Sequence, residues 1–140
     1  MSAYSENKTS FKDVDTLIAA LVACGYPKEA IEVHEKAVNL YGYHGDMRKD
    51  TAEIVIRRAN VNKYMSGGSS NDIGFKKSAD GTYAAIISEY DSGKHNARWM
   101  AQVKTSYTEN GIMKTANKQG LRFAGRKLVN GKVQLQFLQA

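Results

Sequence analysis

The stretch YAAIIS, residues 83–88, carries apolar side chains at odd and even positions alike. Successive side chains of a strand point to opposite faces of its sheet, so this segment has no face to offer water. It reads as a central strand covered on one side by helices. Ile73 to Lys77 and Thr82 to Tyr90 read as a hairpin, and the intervening SADG puts Gly81 where a short turn needs a positive φ.

The remaining segments supply the layers. From Ser10 to Gly25, Val14, Leu17, Ile18, Leu21 and Val22 form one stripe at helical spacing. Ser10 or Asp13 can cap that helix, Gly25 can end it, and Pro27 prevents its continuation. Ala30 to His34 and Ala52 to Arg58 alternate with a strand period. NKYMSGGSSND then reads as a flexible Gly/Ser-rich loop. Asn96 to Gly120 is a second helix with Trp99, Met100, Val103 and Tyr107 on one stripe. Ile112, Met113 and Ala116 fall at a different angle, which predicts a kink near Gly111. Asn130-Gly131 is a preferred two-residue hairpin turn, with Val133, Leu135 and Phe137 alternating on the returning strand. SAYSENKTS has weak strand character, so the order is β-α-β-β-β-β-α-β-β. The expectation is a single α+β domain over residues 1–140, with a largely antiparallel sheet and two helices on one face. Ile54, Ile56, Ile73, Phe75, Ile86, Trp99 and Val103 are expected to be buried.

A chain of 140 residues, 42% apolar, can bury one adequate core. No apolar run approaches the roughly 20 residues of a membrane helix, and the N-terminus lacks a signal-peptide pattern. The one cysteine, Cys24, excludes an internal disulfide and a thiolate zinc cluster and fits a cytoplasmic setting. Residues 1–70 carry nine basic and nine acidic side chains, whereas residues 71–140 carry eleven and five, so the net +6 resides in the second half. From Lys94 onward Glu109 is the only acid. Such a third attracts anionic partners, although it can also serve only as a solvating surface.

Two runs carry a family resemblance. VHEKAVNLYGYHGDMRKDTAEIVIRR (33–58) and SNDIGFKKSADGTYAAIISEYD (70–91) closely resemble a family of unknown function encoded in cyanobacterial and algal plastid genomes, the hypothetical chloroplast reading frame thirty-five. The resemblance extends more loosely to the Asp13–Tyr26 helix and to KQG at Lys118–Gly120, while ENG at Glu109–Gly111 departs from an uninterrupted helix. It implies the fold boundaries and a cytoplasmic or stromal-type setting. It brings no established activity and no catalytic residues.

The chemical motifs are mostly negative. The three histidines, His34, His44 and His95, lack the spacing of a helical metal site. There is no nucleophile elbow, no phosphate-cradling P-loop and no dinucleotide fingerprint. Asp46, Glu53, Asp72, Glu89 and Asp91 could meet for acid–base work, or pair with Arg48, Arg57 and Arg58 and with turn amides. No catalytic residue, metal or cofactor is expected, and a hydrolase, an oxidoreductase and a metalloenzyme are all disfavoured.

The positive feature is NLYGYHGDMR, residues 39–48. Tyr41 and Tyr43 offer stacking rings, Gly42 and Gly45 allow close turns, and Arg48 with Arg57 can fork onto a carboxylate or phosphate. With His44, Asp46, and Asn71 and Asp72 approaching from the other side, these residues form a candidate ligand-binding surface. A small anionic, nucleotide-like ligand fits it, as does a partner protein. Alternatively the rings are turn plugs. The expected function is a non-enzymatic binding or accessory module acting through the Asn39–Arg48 and Ser66–Gly74 loops, without a membrane. The alternative is a nucleic-acid binder using the basic C-terminal third, although periodicity assigns Trp99 and Phe137 to the core and leaves little stacking surface.

Overall fold

A computed structural model describes residues 3–66, 68 and 70–139. The elements run β1 (Tyr4–Lys8), α1 (Val14–Ala23), β2 (Ile31–Tyr41), β3 (Met47–Ile56), α2 (Arg58–Val61), β4 (Ile73–Lys77), β5 (Tyr83–Ser88), α3 (Ala97–Lys118), β6 (Leu121–Val129) and β7 (Lys132–Gln139). Five strands form one antiparallel sheet in the order β1-β5-β4-β3-β2. The α+β expectation therefore holds, and β5 is an interior strand buried at every position. The seven residues expected in the core are each at most 3% exposed.

The two sheet faces are filled unequally. Ile54, Ile56, Ile73, Phe75, Ala85 and Ile87 meet Leu17, Ala20 and Leu21 of α1 and Trp99 and Val103 of α3 in the main core. A smaller cluster of Leu40, Ala52, Val55, Ala84 and Ile86 fills the opposite face. Leu40 reaches it because β2 runs on to Tyr41, beyond the expected end at His34, and its pairing with β3 is irregular between Val33 and Val38. Such irregularities bend a strand. The bent end approaches β4, where the Asp72 N–H donates to the Tyr41 carbonyl at 2.9 Å. Gly74 makes this approach possible: a Cβ there would stand 2.5 Å from the Ala52 methyl and 3.2 Å from both Leu40 methyls.

α1 starts later than expected. Asp13, not Ser10, caps it by accepting the Thr16 N–H at 3.0 Å. Its buried face is Thr16, Leu17, Ala20 and Leu21, and Val22 is left exposed. Contacts from α3 hold this orientation. The Tyr107 hydroxyl accepts the Lys12 and Asp13 N–H groups, and the Trp99 indole N–H donates to the Cys24 carbonyl at 3.2 Å.

Three further expectations are corrected. α3 is one continuous helix with no break at Gly111. Its second apolar face does not need to reach the core, because a separate two-stranded sheet, β6-β7, covers it. Ile112 and Ala116 face Leu121 and Phe137 across a shallow groove, and Arg126 donates to Glu109 at 2.7 Å. The turn itself is as expected, with Asn130 at φ 49° and Gly131 at φ 77°. Phe137 consequently lies half-buried against Phe123 rather than in the core. The third correction concerns NKYMSGGSSND. Arg58 to Ser66 is helical, and Ser70, Asn71 and Asp72 are buried. Buried backbone and polar side chains need partners, and Asn62 supplies one by accepting the Ser70 N–H at 2.8 Å. Gly67 and Ser69 lie outside the described residues.

Two predictions follow from the packing. Gly74→Ala should destabilise the protein by about 1–3 kcal/mol in urea unfolding, the usual cost of forcing a methyl into a filled core. The second concerns His95, which is buried beside Trp99 with its Nε2 2.7 Å from the Tyr26 hydroxyl. Burial pushes its pKa down to about 4, against the opposing field of Asp91. An unfolded histidine titrates near about 6.5, so between these values the unfolded chain binds the extra proton. Stability should be full above about pH 6.5 and decline as the pH falls to about 4, by up to roughly 3 kcal/mol. Unfolding free energies measured across that window should show the slope in the parent, and His95→Phe should flatten it. The Asp13 carboxylate, lowered to about 2 by its hydrogen bonds from Thr16 and Lys114, loses its own contribution only at more acidic pH.

Candidate functional site

The opening of β4 carries a carboxylate into the protein. Asp72 is 1% exposed, and a buried charge persists only when it is paired and hydrogen-bonded. Its Oδ2 accepts the Tyr41 N–H at 2.8 Å and the Arg57 guanidinium at 2.8 Å, and its Oδ1 accepts the Arg58 N–H at 2.7 Å. Its carbonyl accepts the Tyr4 hydroxyl at 2.7 Å. Arg57 follows the end of β3 rather than lying within it. It also donates to the Asn39 carbonyl at 3.0 Å and to both oxygens of Glu32 at 3.2 Å. Burial works against the Arg57 charge, but Asp72 and Glu32 outweigh it and its pKa is raised.

Asn71 forms a second clamp. Its Oδ1 accepts the Tyr43 N–H at 2.9 Å, while its backbone and side-chain N–H groups both donate to Asp91 at 3.1 Å. Arg58 closes the turn from outside by donating to the Tyr43 carbonyl at 3.0 Å. The turn is further tightened by the Gly42 N–H donating to the Asp46 carbonyl at 2.8 Å, and Gly45 takes φ +77°, a conformation that favours glycine.

Of the eight candidate residues, Tyr41, Tyr43, Arg57, Asn71 and Asp72 thus form one connected network. Asn71 and Asp72 do approach from the other side, but their polar atoms point inward and are occupied. Asp46 packs its carboxylate close over Gly42. Arg48 is placed with its guanidinium 5.1 Å from the Tyr4 ring centre, so it connects through Tyr4. His44 is exposed, with its ring 4.0 Å from that of Tyr43.

What faces outward is aromatic. Tyr43 stacks nearly parallel on Tyr90 at 5.8 Å and 8°. Tyr90 is 56% exposed and Tyr41 38%. Beside them is a shallow cleft of about 250 Å3 lined by Tyr41, Gly45, Arg57, Arg58 and Ala59 above Asp72. Sequence reasoning did not pick out Tyr4, Tyr90 or Gly74, whose roles come from strand pairing at long range. Among the described residues no group of three His, Cys, Asp or Glu side chains is placed to hold a metal ion, and no helix is long and apolar enough to cross a membrane.

The two kinds of residue should respond differently to truncation. Asp72→Ala leaves the Tyr41 and Arg58 N–H groups without their acceptor and takes one of the two carboxylates from Arg57, which keeps Glu32. Each buried donor left unpaired costs about 1–3 kcal/mol. Tyr43→Ala removes a half-exposed ring and a stacking pair, with a loss near about 1 kcal/mol. Urea titration of both variants checks the contrast. Equal losses would make Tyr43 a turn plug.

Neither a curated protein nor a solved structure matches the chain. A family model matches residues 29–135, which takes in β2 through the first half of β7 and all eight candidate residues, and leaves β1 and α1 outside. The chain belongs to the family described as protein of unknown function DUF1257.

Proposed function

We propose that the chain is a non-enzymatic docking module that seats a partner protein on the surface formed by Tyr41, Tyr43, His44, Arg58 and Tyr90. The observation that carries this reading is the Tyr43–Tyr90 stack, half out of water, on a backbone clamped by Asn71 and Arg58. Rigid aromatic anchors lose little entropy on binding, and Tyr and Arg are favoured at interface centres. A small anionic ligand in the neighbouring cleft is less well supported, because Glu32 and Asp72 already neutralise Arg57 there. On the same reading the chain stands beside the plastid reading frame it resembles, in a cytoplasmic or stromal compartment.

One observation favours the nucleic-acid alternative. Arg122, Lys127 and Lys132 share the outer face of the β6-β7 hairpin, all exposed and without an acidic partner among the described residues. Phe123 and Phe137 pair with each other on the opposite face, toward α3, so the basic face offers charge without aromatic stacking.

Affinity capture with the full chain separates the readings. A stoichiometric protein partner should be retained by the parent, weakened at least about tenfold by Tyr90→Ala, as for a central anchor, and unaffected by Lys127→Glu. Retention indifferent to Tyr90→Ala would sink the docking surface. Filter binding to mixed RNA and DNA tests the alternative, for which retention should fall steeply with salt through counterion release.

A further inference from the structure

A cavity of about 470 Å3 opens between β1, the segment that follows it and the first turns of α3. It shares no residue with the aromatic surface. Phe11, Ile87 and Met100 give it apolar walls, and no carboxylate or guanidinium lines it. His95 also lines it, is 3% exposed, and its Nδ1 has no hydrogen-bond partner among the described residues. A buried polar atom left unpaired carries a desolvation cost unless something supplies the missing bond.

The chemistry of that bond follows from its neighbours. Burial raises the Tyr26 hydroxyl well above the usual phenol range, so it keeps its proton. His95 Nε2, 2.7 Å away, is the one acceptor that hydroxyl has among the described residues, which makes Tyr26 the donor. The Nδ1 of the neutral ring then carries the hydrogen and is a donor. At the same end, the Asn96 side chain accepts the Trp99 N–H at 3.0 Å, and the Ala97 and Arg98 N–H groups have no acceptor among the described residues. These are the first two donors of a 22-residue helix, where partial positive charge gathers. Lys8 and Lys104 line the cavity and have no ion-pair partner among the described residues.

We propose that this cavity binds a small organic monocarboxylate, its head at the α3 N-terminus and His95 Nδ1 and its apolar body against Phe11, Ile87 and Met100. A single negative charge suits neutral donors, a helix end and a flexible lysine. A phosphate dianion would call for the arginine fork that the cavity lacks. The apolar walls select for an acyl or aromatic body rather than a bare ion.

The test titrates the 15N-labelled full chain with hexanoate, benzoate, 1-hexanol and inorganic phosphate, following the Ala97 and Arg98 amides and the His95 imidazole by NMR. Hexanoate or benzoate should give saturable shifts at all three, with 1-hexanol and phosphate at least about tenfold weaker, since hydrogen bonds to a charged group and burial of the body each contribute at that scale. His95→Phe should weaken hexanoate about tenfold. Ala101→Leu, at an exposed helix position on the cavity rim, should block it with the melting temperature unchanged, and this decides the matter if His95→Phe fails to fold. No saturable shift with either acid overturns the proposal. Equal binding of 1-hexanol overturns the charged head, equal binding of phosphate overturns the apolar body, and hexanoate binding unaffected by Ala101→Leu overturns the location.

Discussion

The buried Asp72 carboxylate determines which of several poses the upper half of the molecule adopts. A bulged β2 with exposed polar residues is weakly specified by hydrophobic patterning, because a slip of register costs little where neither face is committed. Asp72 removes that freedom. It gathers a backbone N–H from Tyr41, a guanidinium from Arg57 and a backbone N–H from Arg58 at one point. Buried ion pairs are weak evidence for net stability. Here the pair acts on specificity, since no apolar residue at position 72 could hold three donors from two separate segments. The close approach over Gly74 then follows from the pose that Asp72 selects.

Asn71 links this clamp to the other end of the fold. Its neighbour Asp72 faces the β2–β3 turn, while Asn71 bridges that turn to Asp91. The Asp91 carbonyl in turn accepts the His95 N–H at 2.9 Å and so positions the start of α3. A short buried segment therefore sets both the aromatic surface and the mouth of the α3 cavity. Backbone that is buried must place each of its hydrogen bonds, and two successive polar side chains satisfy that requirement in opposite directions.

This explains which features could be read from the sequence. The doubly apolar β5 and the Asn130-Gly131 turn are a local periodicity and a local φ requirement, and both appear where the pattern says, whereas β3 is found but begins at Met47 and ends at Ile56 rather than spanning Ala52 to Arg58. The pose of Asp72 is different in kind. Its partner Tyr41 lies 31 residues away, and an Asp in a Gly/Ser-rich stretch looks the same whether it faces water or an arginine. The continuous α3 shows the same limit. The angular offset of Ile112 and Ala116 is real, but a period cannot say whether the second face meets the core or a separate hairpin. The candidate surface was legible as chemistry, in its tyrosines and arginines. Which groups were free to face outward was decided by burial.

Burial also separates charge from contact. The +6 excess lies in the second half of the chain, on α3 and the β6-β7 hairpin, whereas Arg57 is internally cancelled by Glu32 and Asp72. On the proposed reading the two regions act on different terms of association. Unpaired lysines and arginines on an exposed hairpin raise the encounter rate with an acidic partner, an effect that salt screening weakens. The Tyr43–Tyr90 stack, carrying no charge and held from beneath, governs how long the partner stays. A docking surface assembled in this way gains selectivity from having its arginines already paired: an anion drawn in by the basic half finds no free guanidinium at Arg57, and only a surface that buries the tyrosine rings is retained.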